Sequence, residues 1–417
     1  MKVEETVKNY PSSLRMYCNY TTREIRKVCK SIGPRGSGSE SERKAQEHFK
    51  EEMETCADKV VMEDFSVHPV AFMAWVVLDG ICLLAAVLFS FLNLPVVSLV
   101  LSCLAIVFLL TEFLFYWEFL DPFFTKKISA NTIGTRTPTG EVKQRIIFAG
   151  HTDSAWEWRF MHLGGKALFF GGSGYAIVGL LYMLVISVLQ TVMFGPAGGE
   201  VTGAFVILRY IELGFVPAFI LIMFFSNFGR PVMGANDNLT GCVTSIGLMK
   251  FLEDNNITFE NTEVVALTAG CEECGLRGAR AYAKKHREEL LAIPTVFFCM
   301  DTLRDYDDMA IYARDMTGTV KNDPRVCALM KSAAAQCGVE LPYHTVYLGS
   351  SDAAAVTKLG VPAATLAAMD PSGPRYYHTR RDTEELLEPR TIEKSLDICL
   401  HALFLFDEQG LKENYES

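Results

Sequence analysis

Apolar positions are distributed unevenly along this chain, because many of them gather in four long runs that interrupt more polar segments. The runs cover residues 72–92, 96–117, about 167–194 and about 204–228. Each has about 20 residues or more, the length that an α-helix needs to cross the hydrocarbon core of a bilayer. A short turn joins the first two runs and another joins the last two. The pattern therefore predicts four transmembrane helices in two hairpins, one in residues 71–119 and one in residues 167–228.

Two hairpins give an even number of crossings, so segments 1–70, 120–166 and 229–417 should emerge on one side of the membrane. The basic residues that flank the runs on that side are Lys126, Lys127, Arg159, Lys166 and Arg230. The two connecting turns contain neither Lys nor Arg, and these residues are enriched in cytoplasmic loops. We expect a multi-pass protein of the cell membrane with its polar segments in the cytoplasm. Buried core helices of a large soluble protein are the alternative interpretation.

Charged residues interrupt the apolar runs at a few positions. Asp79 is well within the first run, and Arg209 and Glu212 lie near the outer end of the fourth. Ionisable groups within a membrane usually pair or line a functional cavity, so we expect a partner for Asp79. Arg209 and Glu212 could form an i,i+3 pair at the membrane interface.

The polar segments alternate between strand-like and helix-like patterns. Strands are predicted at Val60–Val67, Asn131–Arg136, Arg145–Ala149 and Glu263–Thr268. Helices are predicted from a capping box at Ser39–Glu42 to about Thr55, and at Gly241–Leu252, Gly278–Leu291, Pro324–Cys337 and Thr391–Glu408. The first hairpin separates the first two strands, as if it had been inserted at the tip of a β-hairpin. The alternation predicts an α/β fold, in which helices sandwich a mostly parallel sheet in one discontinuous domain of residues 1–70, 120–166 and 229–417.

Composition narrows the function classes. Hydrophobic residues make up 50% of the chain and the net charge is −10, so no basic face for nucleic acid is expected. The 12 cysteines are scattered, and residues 1–10 lack the apolar core of a signal peptide, which together indicate a reduced, cytosol-facing protein. Cys271 and Cys274 form a C-x-x-C pattern that could indicate redox or zinc chemistry. The two residues between them, Glu272 and Glu273, are better explained as parts of a metal site.

Five residues match the donor inventory of a two-metal site. Such a site needs a bridging carboxylate together with imidazole and carboxylate donors for each ion. Asp237 can bridge, while His151 and Asp301 complete one site and Glu273 and His378 complete the other. Three protein donors for each ion leave a position open for water, as in catalytic zinc sites. Mixed imidazole and carboxylate ligation favours two Zn²⁺ ions, with Co²⁺ or Mn²⁺ as possible substitutes.

Two further acidic residues stand next to the expected ligands. Glu272 precedes Glu273 and is the natural general base, which takes a proton from metal-bound water and delivers it to the leaving amine. Asp153 lies two residues after His151 and should accept a hydrogen bond from the second imidazole nitrogen, which would fix the tautomer of that histidine. Both are therefore candidate catalytic residues.

The order of these residues resembles a known family. The motifs that carry the resemblance are GHTDS from residue 150, GANDNLTG from 234, CEECGLRGARAY from 271, Met-Asp at 300–301 and YHTRRDT from 377. In this order they are similar to the co-catalytic dizinc exopeptidases, which include bacterial leucyl aminopeptidases, glutamate carboxypeptidase II and, more distantly, glutaminyl cyclases. The similarity extends from about residue 22 to the C-terminus and leaves out the membrane hairpins.

The resemblance implies a zinc-exopeptidase-like fold with the ligands and the base named above. It also implies a cis peptide bond between Asp237 and Asn238. One departure stands at Ser350-Ser351-Asp352-Ala353, where many members have His after the Asp, so the wall of the substrate pocket should differ.

The leading functional prediction is a membrane-anchored dinuclear zinc exopeptidase, an aminopeptidase in which Glu272 activates the attacking water. Its expected partners are a peptide substrate and the lipid bilayer, and the oligomeric state is left open. A dipeptidase or carboxypeptidase is the main alternative, and its candidate carboxylate-binding residues are Arg314, Arg375, Arg380 and Arg381. Glutaminyl cyclase is disfavoured because both ligand sets are complete. A non-catalytic scaffold and a transporter are the alternatives from other classes.

Overall fold

The computed structural model of the chain describes residues 3–415, which form two units. The first, here called the sheet unit, contains the described residues up to Pro69, Lys126–Ala155 and those from Pro231 onward. The second, the helical unit, contains Val70–Thr125 and Trp156–Arg230.

The strands in chain order are β1 (Lys59–Val67), β2 (Lys127–Arg136), β3 (Gln144–His151), β4 (Trp156–Trp158), β5 (Ser226–Pro231), β6 (Thr262–Ala269), β7 (Thr295–Leu303), β8 (Met309–Asp315), β9 (Val320–Lys321), β10 (Tyr343–Thr345) and β11 (Ala363–Ala368). The helices are α1 (Val3–Thr6), α2 (Tyr10–Ser31), α3 (Glu40–Met53), α4 (Ala71–Phe91), α5 (Pro95–Phe108), α6 (Arg159–Phe194), α7 (Ala204–Ile222), α8 (Thr240–Asp254), α9 (Arg277–Lys285), α10 (Arg287–Ala292), α11 (Pro324–Gln336), α12 (Asp352–Thr357) and α13 (Pro389–Gln409).

A nine-stranded sheet organises the sheet unit, in the order β1-β2-β6-β3-β7-β11-β8-β10 with β9 paired to β8. Its centre, β6-β3-β7-β11, is parallel, whereas β1-β2, β2-β6 and β11-β8 are antiparallel. Every residue of β3 from Arg145 to His151 is buried, as expected of a strand with both faces covered. The α/β prediction with a mostly parallel sheet is confirmed.

Helices cover this sheet and share its core. Helices α2, α8, α11 and α13 form a layer of successive contacts, and its hydrophobic core includes Ile146, Phe148 and Phe298 of the central strands. Helices α9 and α12 lie against each other, and α12 also packs on β7 and β11. The helix predicted at 278–291 is interrupted at His286 and becomes α9 and α10.

The first insertion leaves the sheet at a strand hairpin. β1 and β2 are antiparallel, and Val67 lies opposite Lys127 in their register. The chain between these two residues belongs largely to the helical unit. This is the β-hairpin arrangement that the sequence predicts.

Four helices of the helical unit are long and apolar enough to cross a membrane, by length and composition. They span Ala71–Phe91, Pro95–Leu114, Arg159–Phe194 and Phe205–Ile222. The second continues from α5 into a π-helical turn, and the third has a non-helical residue at Gly165. Many outward side chains on these helices are apolar, such as Val192 and Ile207.

The sequence prediction was wrong about the extent of the last two runs. The third helix begins at Arg159 instead of 167, and the fourth ends at Ile222 instead of 228. Residues 226–231 form β5, which pairs with β4. The reason is local, because the segment after Phe225 reads Ser-Asn-Phe-Gly-Arg-Pro, and its Gly and Pro disfavour a continued helix.

The charged residues of the runs differ from the expected pairing. Arg209 donates to the side-chain oxygen of Asn93 at 2.8 Å and to the carbonyl of Phe91 at 2.6 Å, whereas Glu212 accepts from the Ser90 hydroxyl at 2.8 Å. Each member of the expected i,i+3 pair therefore finds its partner at the end of α4. The expected partner of Asp79 was not found, because within residues 3–415 its Oδ1 has no hydrogen-bond partner.

Candidate metal centre

The predicted site residues come from neighbouring strand ends. His151 is the last residue of β3, the Glu272–Glu273 pair follows β6, and Asp301 lies near the end of β7. These strands are parallel neighbours, so their carboxyl ends meet at one edge of the sheet, where ligand sites of such folds gather. Asp237 lies in a turn before α8 and has a non-helical backbone conformation, and His378 lies in the loop after β11.

The Asp237 carboxylate lies between two imidazoles. Its Oδ1 is 3.2 Å from Nε2 of His151, and its Oδ2 is 3.1 Å from Nε2 of His378. On one side Asp301 Oδ1 lies 3.9 Å from the His151 nitrogen, and on the other Glu273 Oε2 lies 3.3 Å from the His378 nitrogen. Each set of three donors fits within 4.8 Å. The structure thus brings together all five predicted ligands in two groups that share Asp237.

A third group of possible donors overlaps with these two. It consists of His151, Glu272 and Glu273. The Oε2 atom of Glu272 is 3.9 Å from Nε2 of His151, longer than the imidazole distances of Asp237. Glu272 therefore lies as far from the His151 imidazole as Asp301 does, at the border of the donor groups.

The turn that carries Asp237 is held by a second aspartate. The carboxylate of Asp382 accepts from the Asn236 backbone N–H at 2.9 Å, from the Asn236 amide at 2.7 Å and from the Asp237 N–H at 3.0 Å. The peptide bond between Asp237 and Asn238 is cis, as the resemblance implies. Asn238 donates to the Met300 carbonyl at 2.8 Å, next to Asp301. Two ligand-bearing segments are therefore fixed to each other.

Asp153 holds the loop with the two glutamates. Its Oδ1 accepts from the Glu272 N–H at 2.9 Å, and its Oδ2 accepts from the Glu273 N–H at 3.1 Å and the Ser37 hydroxyl at 2.6 Å. The expected hydrogen bond from His151 to this carboxylate is replaced by one to the Asp153 carbonyl, at 3.2 Å from Nδ1, while the carboxylate is 3.5 Å away. The carboxylate is turned toward nearer N–H and O–H donors.

Sequence reasoning missed two buried charged residues that support the site. Arg35 is fully buried, and its guanidinium donates to the carbonyls of Thr152 at 2.8 Å, Met233 at 2.9 Å and Gly234 at 2.8 Å. It therefore joins the segment after His151 to the segment before Asp237. Its position in a Gly-rich stretch was visible in the sequence, but its distant acceptors were not.

Glu42 is the other missed residue. Besides its place in the capping box, its carboxylate accepts from the N–H groups of Gly38 at 2.7 Å and Cys271 at 2.8 Å, which fixes the start of the Glu272 loop. Burial and the charge of Asp153 raise the pKa of Glu42 to about 8.

Neither Cys271 nor Cys274 belongs to a metal-donor group among residues 3–415.

The site contains more buried carboxylates than cationic groups. Burial, reinforced by neighbouring carboxylates, raises the pKa of Glu272 and Glu273 well above the usual range, and that of Asp301 to about 7. Asp237 is the exception, because the hydrogen bonds from His151 and His378 outweigh its burial and lower its pKa. Unpaired charge is costly in a dry environment, so this arrangement suits divalent cations.

Comparisons with known proteins agree with this geometry. Residues 221–403 match the family model described as Peptidase family M28. That segment contains Asp237, Glu272, Glu273, Asp301 and His378. No curated protein matches the sequence.

Three solved structures show the same fold. The aminopeptidase from Aneurinibacillus sp. strain AM-1 is 15% identical with a TM-score of 0.55, and the match covers 94% of this chain and 95% of that one. The zinc aminopeptidase BSAP from Bacillus subtilis is 13% identical with a TM-score of 0.56, covering 93% and 94%. An Acidobacteriales bacterium glutaminyl cyclase is 15% identical with a TM-score of 0.55, covering 94% and 96%.

Identities this low establish a common fold, and the family match adds the chemical class. Together they confirm the resemblance to the zinc exopeptidases. Residues 221–403 are therefore similar to peptidase family M28, and this match and the shared fold agree with the prediction of a zinc metallopeptidase.

Proposed function

We propose that this protein is a membrane-anchored exopeptidase with two zinc ions, and specifically an aminopeptidase that releases N-terminal residues from peptides. The observation that carries this proposal is the Asp237 carboxylate, whose two oxygens face two different imidazoles at 3.2 and 3.1 Å. A carboxylate shared in this way is what a pair of divalent ions about 3.5–4 Å apart requires.

The proposed ligands are His151, Asp237 and Asp301 for one ion and Asp237, Glu273 and His378 for the other. The donors fit zinc in kind, since both groups mix imidazole with carboxylate. One donor atom is also available for a metal ion, because Oε1 of Glu273 is buried and has no hydrogen-bond partner in residues 3–415. Tyr377 stacks on the His378 ring with centroids 4.0 Å apart and orients it.

Bound zinc ions supply Lewis acidity for the scissile carbonyl and lower the pKa of the attacking water. Glu272 is the proposed general base. Its carboxylate takes a proton from that water and donates it to the leaving amine. Asp153 is a positioning residue for this step, because it holds the backbone N–H of Glu272 at 2.9 Å. Because the Glu272 side chain is buried, bulk water is kept away from the proton that this side chain transfers.

The carboxypeptidase alternative needs a basic pocket for a C-terminal carboxylate. A cavity of about 440 Å³ in the sheet unit does contain Arg375 and Arg381, two of the candidate residues. Three arginines and three aspartates line it, namely Arg304, Arg375, Arg381, Asp305, Asp308 and Asp370. Since these charges balance, the cavity does not favour a carboxylate, and the aminopeptidase is preferred.

The names of structural relatives point in the same direction. Two of the three relatives described above are aminopeptidases, and the third is a glutaminyl cyclase. A glutaminyl cyclase is the less favoured hypothesis, because the donor groups for two metal ions are both complete here. A scaffold that had lost activity would be expected to lack ligands, and all five are present.

The four apolar helices support a multi-pass location in the cell membrane, with the lipid bilayer as a partner of the helical unit. Lys126, Lys127 and Arg230 flank these helices, and the turns between paired helices contain no basic residue. By the positive-inside rule the peptidase domain, which is the sheet unit, faces the cytoplasm.

The general base can be tested with Glu272→Gln. We expect this variant to keep the wild-type zinc content, because Glu272 is outside the two proposed ligand groups, and to lose roughly 10²–10⁴-fold in kcat because proton transfer fails. Hydrolysis of leucine p-nitroanilide measures kcat, and metal analysis measures the zinc content. Glu260→Gln, at an exposed position, is the matched control. Near-wild-type turnover of Glu272→Gln would refute the mechanism.

The positioning role of Asp382 makes a separate prediction. Asp382→Asn removes a charged acceptor for three donors, so we expect zinc affinity to fall about 10–100-fold. Competition with a chromogenic chelator measures this affinity. Asp254→Asn is the control, because Asp254 accepts from Tyr17 at the other end of α8. Equal zinc affinity of Asp382→Asn and the wild type would contradict the role.

Membrane topology can be tested in intact cells. A green fluorescent protein fused after Ser417 should fluoresce, and an external protease should cut a cleavage site placed in the loop between α6 and α7 while sparing the fusion. The two fragments that this cleavage produces should both resist extraction from membranes by alkaline carbonate. External cleavage of the C-terminal fusion, or release by carbonate, would contradict the proposed anchoring and sidedness.

A further inference from the structure

One buried carboxylate near the metal centre has no role in holding the fold. Asp352, the first residue of α12, is 1% exposed, and within residues 3–415 neither of its carboxylate oxygens has a hydrogen-bond partner. Other buried aspartates around it are well supplied. Asp315 accepts from the N–H and hydroxyl of Ser351 at 2.9 and 2.5 Å, and Asp382 accepts from three donors.

Asp352 lies beside the reacting groups. Helix α12 packs on β7, which carries Asp301, and on α9, which follows the Glu272 loop. The charges that act most strongly on the Asp352 carboxylate are those of His151, Asp153 and Asp301. The carboxylate also acts on Glu272. Asp352 nevertheless belongs to none of the metal-donor groups found among residues 3–415.

A buried carboxylate without a partner is unfavourable unless a cationic group reaches it. No lysine or arginine is among the strongest charges acting on Asp352, and its principal cationic neighbour, His151, is a proposed metal ligand. The missing partner is therefore expected to arrive with the substrate.

The chemistry of an aminopeptidase supplies such a cation. With an N–Cα bond of about 1.46 Å and a Cα–C bond of about 1.52 Å, the α-ammonium of the substrate lies about 2.5 Å from the scissile carbonyl carbon. The group that binds this ammonium must therefore be a close neighbour of the groups that act on the carbonyl. Asp352 is placed for this, because α12, which it begins, packs on β7 beside Asp301 and on α9 after the Glu272 loop.

We propose that Asp352 is the anionic subsite that binds the free α-ammonium group of the substrate and thereby makes the enzyme select N-terminal residues. This inference rests on the aminopeptidase proposal and deepens it, since it names the residue that recognises the free amine. An ammonium group has three donors and no acceptor, which matches two carboxylate oxygens that lack donors.

The test pairs Asp352→Asn with two substrates, leucine p-nitroanilide and its des-amino analogue, 4-methylpentanoyl p-nitroanilide. Asn preserves the size of the side chain and removes its charge. We expect kcat/KM for the leucine substrate to fall about 100-fold, mainly through KM, with little change for the des-amino substrate. The preference for the free amine should shrink by the same factor. Asp254→Asn, at the far end of α8, is the control and should leave this preference unchanged.

A measurement that does not depend on turnover accompanies the kinetics. Titration calorimetry with L-leucinol, an amino alcohol that cannot be hydrolysed, should show binding to the zinc-loaded wild type that weakens about 100-fold in Asp352→Asn. The midpoint of thermal unfolding without ligand should stay the same or rise in this variant, because an unpartnered buried charge has been removed. A structural role would lower it.

The outcomes separate the two proposals. If the wild type hydrolyses neither substrate, the aminopeptidase proposal fails, and leucinol binding alone then decides whether Asp352 binds an ammonium. If Asp352→Asn lowers kcat/KM equally for both substrates, Asp352 acts on Glu272 instead, and the inference is overturned. Equal leucinol affinity of the variant and the wild type would overturn it as well.

Discussion

The structure of the site depends on keeping several buried carboxylates close together although their charges repel. Two devices make this possible. Asp237 is placed between the imidazoles of His151 and His378, which favour its ionised form. Behind it, Asp153 and Asp382 are each satisfied by backbone N–H groups of the loops that carry the reactive residues. A buried carboxylate without a partner is unfavourable, so these hydrogen bonds stabilise the carboxylates and fix the geometry of the loops. The negative charge that remains in the site favours the binding of metal ions.

The apolar segments are inserted where the chain leaves and re-enters the sheet unit at neighbouring residues. The first insertion begins and ends beside paired residues, because Val67 lies opposite Lys127 in the β1–β2 register. The second leaves the sheet unit after Ala155, whose carbonyl accepts from the Val232 N–H at 2.9 Å. An insertion whose two ends are neighbours leaves the rest of a domain undisturbed. The chain therefore carries four apolar helices without displacing His151 or Asp237 from their strand and turn.

Much of this arrangement could be predicted from the sequence because it is encoded locally. Short apolar strands that end in His151 or precede the Glu272–Glu273 pair place these residues at one sheet edge. Runs of about 20 apolar residues predict helices that are long enough to cross a membrane. The antiparallel β1 and β2 were also expected, although the pairing of β2 with β6 was not. The break between α9 and α10 was missed because the helical polarity continues across His286.

What the sequence could not provide were contacts between distant segments. The Asp382 carboxylate meets Asn236 and Asp237 from almost 150 positions away, and Arg35 reaches Gly234 across almost 200. Nothing near either residue indicates these partners. The hydrogen bonds from the Glu272 and Glu273 N–H groups to Asp153 could not be predicted for the same reason, since these donors lie about 120 residues further along the chain. The short strand pair β4–β5 was hidden by apolar residues that extend the fourth run.

The central claim is that Asp237 is shared by two zinc ions. Anomalous X-ray diffraction on either side of the zinc absorption edge, from crystals of the zinc-loaded protein in detergent, tests it most directly. We predict two anomalous peaks about 3.5–4 Å apart, one beside His151 and Asp301 and one beside Glu273 and His378, with the Asp237 carboxylate between them. A single peak, or two peaks that do not share Asp237, would contradict the account.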